Sequence, residues 1–172
     1  MSEKTEKIAF VEWLEEHVED RAMLAALRRG LGQPPGTVAD TFRYVVPWIA
    51  NTASPAQEAV YYWIGALFAL YPHLSGQGSL GYSFGTIYKN ETANKEAVER
   101  RFTALLAADL EDLDFYLRQA VAYLKGKEIK INWHQLFRDI QNWDSPYRTV
   151  QRNWARDFWG YAARDENNQT NQ

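Results

Sequence analysis

The sequence predicts an all-α fold: one compact multi-helix domain, residues 1–160, built around a central apolar helix. Three observations carry that expectation. The stretch from Ser54 to Pro72 holds no charged residue between Ala59 and Tyr71, and a helix that is apolar all round belongs inside a core. Leu110, Leu113, Leu117, Ala120, Val121 and Leu124 fall within one arc of about 100° at helical spacing. The run from Glu128 to Ile131 is the only candidate strand, and one isolated strand makes no sheet.

Taken in order, residues 5–16 set Ile8, Val11 and Leu14 three apart among glutamates, which is an amphipathic helix. Residues 20–31 form a second, with Ala22, Leu24, Ala25, Leu27 and Leu31 as apolar surface and Gly30 or Gly32 as its stop. Its last turn carries Arg28 and Arg29, cations that suit either the negative end of a helix dipole or a phosphate. Gln33-Pro34-Pro35-Gly36 is a turn, and residues 38–50 are a helix bent at Pro47.

The central helix starts at Ser54, whose hydroxyl can accept a bond from an unpaired amide. Pro55 suits the first helical position, where no donor is needed, and Gln57 completes the capping-box spacing. Its apolar run is shorter than the roughly 20 residues a membrane span needs, so the rest of the protein must surround it. His73 to Gly85 then contains Gly76, Gly78, Gly81 and Gly85. The first three fit the dinucleotide fingerprint G-x-G-x-x-G, but a helix and not a strand precedes them, and the stretch reads as a flexible connection.

Residues 93–107 give another helix, with Val98, Phe102, Leu105 and Leu106 inward and Arg100 and Arg101 near its middle. Asp109 is the expected cap of the helix through Leu124, in which Arg118 lies outside the apolar arc at ion-pair spacing from Asp114. Lys125-Gly126-Lys127 ends it. Asn132 and Gln135 cap a helix from Trp133 to about Trp143, and Ser145-Pro146 repeats the Ser54-Pro55 signal before a last helix to about Tyr161. Residues 161–172, polar and rich in Asn and Gln from Arg164 on, are expected to be disordered.

Composition narrows the function. The chain has no Cys, which removes disulfides and thiol chemistry, and no signal-peptide pattern precedes the acidic first helix, so a cytoplasmic location is expected. His17, His73 and His134 show no metal spacing, no nucleophile comes with a base, and acidic pairs such as Asp109 with Asp112 are what helix starts ordinarily carry. No catalytic residue, metal or cofactor is expected, and a small hydrolase or nuclease is the weakest reading. The net charge of −3 hides a split: residues 1–20 carry two basic and seven acidic groups, residues 118–156 eight basic and three acidic. Such a distribution can present a basic face to an anionic polymer, or merely a solvated one.

The last helix separates two faces. Val150, Trp154, Phe158 and Tyr161 lie on one side, and Arg148, Arg152 and Arg156 step by four on the other, with Trp159 inside the basic arc. A four-residue step rises about 6 Å, close to the phosphate repeat of an extended strand. The same aromatics and arginines also suit a helical protein-interaction adaptor whose cations form only ion pairs.

Several motifs occur together in the order ALRRGLG (26–32), YYWIGALFALYP (61–72), GSLG (78–81), ERRFTALLAAD (99–109), LRQAVAYLK (117–125), NWHQLFRDIQNWD, and VQRNWARDFW. In this the chain resembles the CasB small-subunit family of the type I-E CRISPR surveillance complex, Cascade, from about residue 20 to 160. The resemblance implies an all-helical, non-catalytic protein, present as two copies beside the other Cascade subunits. It would hold guide RNA, target strand and displaced DNA strand in the R-loop through sequence-independent backbone contacts. It points to Arg28, Arg29, Arg100, Arg101, Arg118, Arg152 and Arg156 as nucleic-acid-binding positions, and Arg148 and Lys125 join them by helical geometry. Arg156 beside Asp157 has an ion pair as its alternative use, and Arg101 has burial against the acidic first helix.

Overall fold

In the computed structural model the backbone is described for residues 6–170 and the side chains for residues 6–160. The helices are α1 (Ala9–Glu16), α2 (Arg21–Arg28), α3 (Ala39–Val45), α4 (Pro55–Leu70), α5 (Leu80–Asn90), α6 (Lys95–Leu106), α7 (Leu113–Gly126), α8 (Trp133–Gln141) and α9 (Thr149–Thr170), and no strand occurs among the described residues. The all-α expectation holds.

Helix α4 is the axis of the core. Its capping box is closed in both directions, Gln57 N–H donating to Ser54 Oγ at 3.2 Å and Ser54 N–H to Gln57 Oε1 at 2.8 Å. Both bonds satisfy amides that the helix start would otherwise leave unpaired, so the chain turns sharply there. Ile64, Leu67, Phe68 and Ala69 are fully buried. Phe68 meets Trp133 of α8 edge-on at 5.5 Å, and Tyr61 meets Phe137 in the same way at 5.0 Å. α1, α2, α3, α7 and α8 all pack on α4. Pro47 interrupts the helix expected over 38–50, which becomes α3 and a single 3-10 turn, Val46–Trp48.

The stretch His73 to Gly85, expected to be a flexible connection, contains the first half of α5. Ser79 Oγ accepts from Tyr82 N–H at 3.2 Å and starts the helix. The glycines serve packing: a Cβ on Gly81 would stand 2.2 Å from the carbonyl oxygen of Trp154, and one on Gly85 3.5 Å from the Cα of Phe158. Helices α5 and α9 thus meet backbone to backbone, an approach that a side chain at Gly81 would forbid.

Three starts and stops differ from expectation. Asp109 does not cap α7; its carbonyl accepts from Asp112 N–H at 3.1 Å in a turn, and the helix begins one turn later. Ser145-Pro146 does not open α9, because Arg148 N–H returns to the Ser145 carbonyl at 2.9 Å and Arg148 takes φ 49°. At the other end α9 continues to Thr170, past the expected break at 161. Ala162, Ala163, Arg164 and Glu166 are sound helix formers, and no Pro or Gly follows Gly160. Residues 171–172 lie outside the described residues.

Of the run 128–131, Glu128 stands in a turn at φ 58°, its N–H and that of Ile129 return to the Lys125 and Leu124 carbonyls of α7 at 3.0 Å each, and the rest is tied to the loop after α4. Gly76 N–H donates to the Ile131 carbonyl (2.9 Å), Ile131 N–H to His73 Nε2 (2.8 Å) and Trp133 N–H to Ser75 Oγ (3.0 Å). Since Nε2 of His73 accepts, its proton sits on Nδ1, which donates to the Tyr71 carbonyl at 2.7 Å. Burial holds the His73 pKa below its ordinary value.

Candidate nucleic-acid interface

The nine basic residues expected to touch nucleic acid fall into two regions, with Arg29 and Arg156 at their margins. The first lies at the C-terminal end of α4, whose last carbonyls have no partner within the helix and carry the negative end of its dipole. Arg28, closing α2, donates from Nε to the Ala69 carbonyl at 3.2 Å, and Lys125, near the end of α7, donates from Nζ to the Leu70 carbonyl at 3.1 Å. Arg118, about two turns earlier in α7, pairs with Asp114 at 3.1 Å. Its guanidinium carbon lies 3.2 Å from where a Cβ on Gly32 would be, and Gly32 has φ +72°. Arg29 stands nearby on Asp40 at 2.6 Å. All four cations are engaged inside the molecule.

The second region runs along α6 and α9. These helices lie antiparallel, since Arg148 Nη2 donates to the Leu106 carbonyl (2.7 Å), Phe158 stacks on Phe102 (4.5 Å) and Trp159 Nε1 donates to Glu99 Oε1 (3.0 Å). Arg148 precedes α9, so the expected row of three on one helix is reduced to Arg152 and Arg156. Trp159 is half-buried against Phe102, so its ring is already packed rather than open in a basic arc. Arg101 is exposed, its guanidinium 4.8 Å from the centre of the Tyr123 ring, and is not buried against α1. Arg100 and Arg152 are exposed, and their side chains have no ion pair or hydrogen bond among the described residues.

Arg156 faces another environment. It donates to Asn153 Oδ1 at 3.4 Å and borders a cleft of about 320 Å³ that also holds Ser79, Gln135, Asp139 and Asp157. It makes no pair with Asp157, whose Oδ2 accepts from Ser79 Oγ at 2.6 Å. Asp139 accepts from Trp154 Nε1 (2.7 Å) and Gln135 Nε2 (2.9 Å), yet burial pushes its pKa above the ordinary value, with the neighbouring Asp157 adding to the effect. A phosphate would be drawn to this cleft less than to the α6–α9 ridge.

The aromatic flank of α7 escaped the sequence reading. Phe115 is 50% exposed, with the Arg118 guanidinium 5.8 Å from its ring centre, and it lines a pocket with Tyr116, Gln119 and Tyr123 on the side of the helix toward α6. The available signal was the position of Phe115: a large ring outside the apolar arc of its own helix. Among the described residues, no group of three or more metal-ligating side chains is assembled, and no helix is long and apolar enough to cross a membrane.

Comparisons with known proteins agree with this architecture. The family model described as CRISPR-associated protein Cse2 matches residues 23–159. The CRISPR-associated protein Cse2 of Thermus thermophilus is 35% identical over 161 residues, covering 91% of this chain and 92% of that one. The crystal structure of CasB from Thermus thermophilus superposes with a TM-score of 0.75 at 35% identity, over 88% of this chain and 96% of that one. A chain of a CRISPR RNA-guided surveillance complex shares the fold, with a TM-score of 0.78 at 24% identity over 95% and 96% of the two chains.

Proposed function

The chain belongs to the Cse2 family of CRISPR-associated proteins, and from that premise we propose that it is a non-catalytic subunit of a type I-E RNA-guided surveillance complex. In this reading it sits in the cytoplasm as one of two copies among the other Cascade subunits, and steadies guide RNA, target strand and displaced strand through backbone contacts. The observation that carries the reading is the pair Arg100 and Arg152, exposed cations whose side chains have no intramolecular partner among the described residues.

The physical logic is a small bias on a balanced exchange. An RNA–DNA heteroduplex is about as stable as the DNA duplex it replaces, so modest contacts to a single strand shift the equilibrium toward the open form. Neutralising a phosphate also releases counterions, independently of sequence. Arginine suits the task because its planar fork can grip phosphate oxygens bidentately.

The test is fluorescence anisotropy of labelled single-stranded DNA across salt concentration, wild type against an Arg100→Ala, Arg152→Ala, Arg156→Ala variant. Each lost phosphate contact flattens the plot of log K against log salt by about 0.7. A flatter slope with unchanged helicity supports the reading. Binding by neither protein favours the adaptor, a reading that the occupied state of Arg28, Arg29, Arg118 and Lys125 supports.

A further inference from the structure

We infer that the pocket between α6 and α7 takes one unpaired nucleobase from the strand whose backbone the α6–α9 ridge holds, an inference that rests on the nucleic-acid reading above. The pocket has a volume of about 210 Å³ and opens beside Arg101. Its walls are rings. Tyr123 stacks on the buried Phe84 with centroids 5.8 Å apart, and Phe115 meets Tyr116 edge-on at 5.3 Å.

The polar groups are few and lie at the rim. Among the described residues Arg101 is the only charged one lining the pocket, and the exposed amide of Gln119 has no hydrogen bond. An aliphatic side chain from a neighbouring protein would use the walls, leave the amide unbonded and bring no anion to Arg101, whose guanidinium already lies 4.8 Å from the Tyr123 ring centre. A nucleobase uses all three: its faces lie on rings, its edge offers donors and acceptors to an amide, and its phosphate carries the charge that Arg101 lacks. Arg101 directly follows Arg100 in α6, so a strand held on the ridge passes the mouth of the pocket. Half of Phe115 is already in water, and a stacked base would cover it.

The experiment compares a labelled mixed-sequence oligonucleotide with an abasic oligomer of the same length, on the full chain. It is run with DNA and with the matched RNA, on wild type, Phe115→Ala and Ala104→Leu, the last of which fills the pocket while keeping its rings. Wild type is expected to bind the base-containing strand about tenfold tighter than the abasic one. In both variants the ratio is expected to fall to about one, with circular dichroism unchanged; a gain seen with either strand type supports the inference and names the strand.

Equal binding of the two oligomers by wild type overturns the pocket and leaves the ridge standing. No binding of either overturns both. Loss of incorporation into the assembled particle by Phe115→Ala, with the ratio unchanged, overturns the inference in favour of a seat for a neighbouring subunit.

Discussion

At the C-terminal end of α4 the cations are occupied, and along α6 and α9 two of them are idle. Arg28 and Lys125 close the Ala69 and Leu70 carbonyls, and Arg118 holds Asp114 over Gly32, whereas the side chains of Arg100 and Arg152 hold nothing among the described residues. Both regions look alike in sequence, as arginines and lysines on outward helix faces. What separates them is the cost of giving a phosphate the same side chain. A cation that leaves a carbonyl exposes an acceptor, and the net gain shrinks by that bond; a solvated arginine forfeits no internal bond.

The harshest way to break this comparison is to move α9 itself. Gly81→Leu would force a side chain against the Trp154 backbone and is expected to cost about 3 kcal/mol of stability, read as a lowered midpoint in urea unfolding. Gly126→Ala, with nothing within 4 Å of the added atom, is expected to stay within about 1 kcal/mol of wild type.

A gentler break empties the α4 end. Arg28→Ala combined with Lys125→Ala removes two charge-assisted bonds from the helix terminus and is expected to lower stability by about 2 kcal/mol, leaving the salt slope of nucleic-acid binding unchanged. Arg100→Ala combined with Arg152→Ala sharpens the contrast from the other side. Stability should hold within about 0.5 kcal/mol while the slope flattens by about 1.4, two contacts at about 0.7 each. If the two double variants exchanged these outcomes, the assignment of the regions would be reversed.

The smallest effect is a pH dependence that belongs to neither region. His73 is half-buried, and the loss of water around it holds its pKa below 6.5, so the unfolded chain takes up a proton first as pH falls. Stability is therefore full above about pH 6.5 and declines below it, levelling off once the folded protein also titrates. Urea midpoints measured from pH 8 to pH 5 should follow that curve, and His73→Phe should flatten it.

Much of the fold was legible because its signals are local. The Ser54–Gln57 box, the Asn132 cap bonded by Gln135 N–H at 3.1 Å and the apolar arc of α7 each lie within one helix or its first turn. Helix α5 was not legible, because glycine lowers helix propensity on its own and is justified here only by α9, some 70 residues later. The site divides in the same way. Arg100 and Arg152 were named from sequence, but the engagement of Arg28 and Lys125 depends on carbonyls of a helix 41 and 55 residues away. The ring pocket needed α6 and α7 set side by side before Phe115 acquired a purpose.

The closeness of Gly81 to the Trp154 carbonyl keys α9 to α5 through main chain alone. A joint of that kind is blind to whatever stands on the far side of α9, where Thr149 and Arg152 are exposed. Those positions can change in charge, length and shape without loosening the joint, while position 81 has no freedom at all. The outer face is thus an interchangeable part on a fixed mount, free to be refitted to a different strand or neighbour while the frame beneath it stays in register.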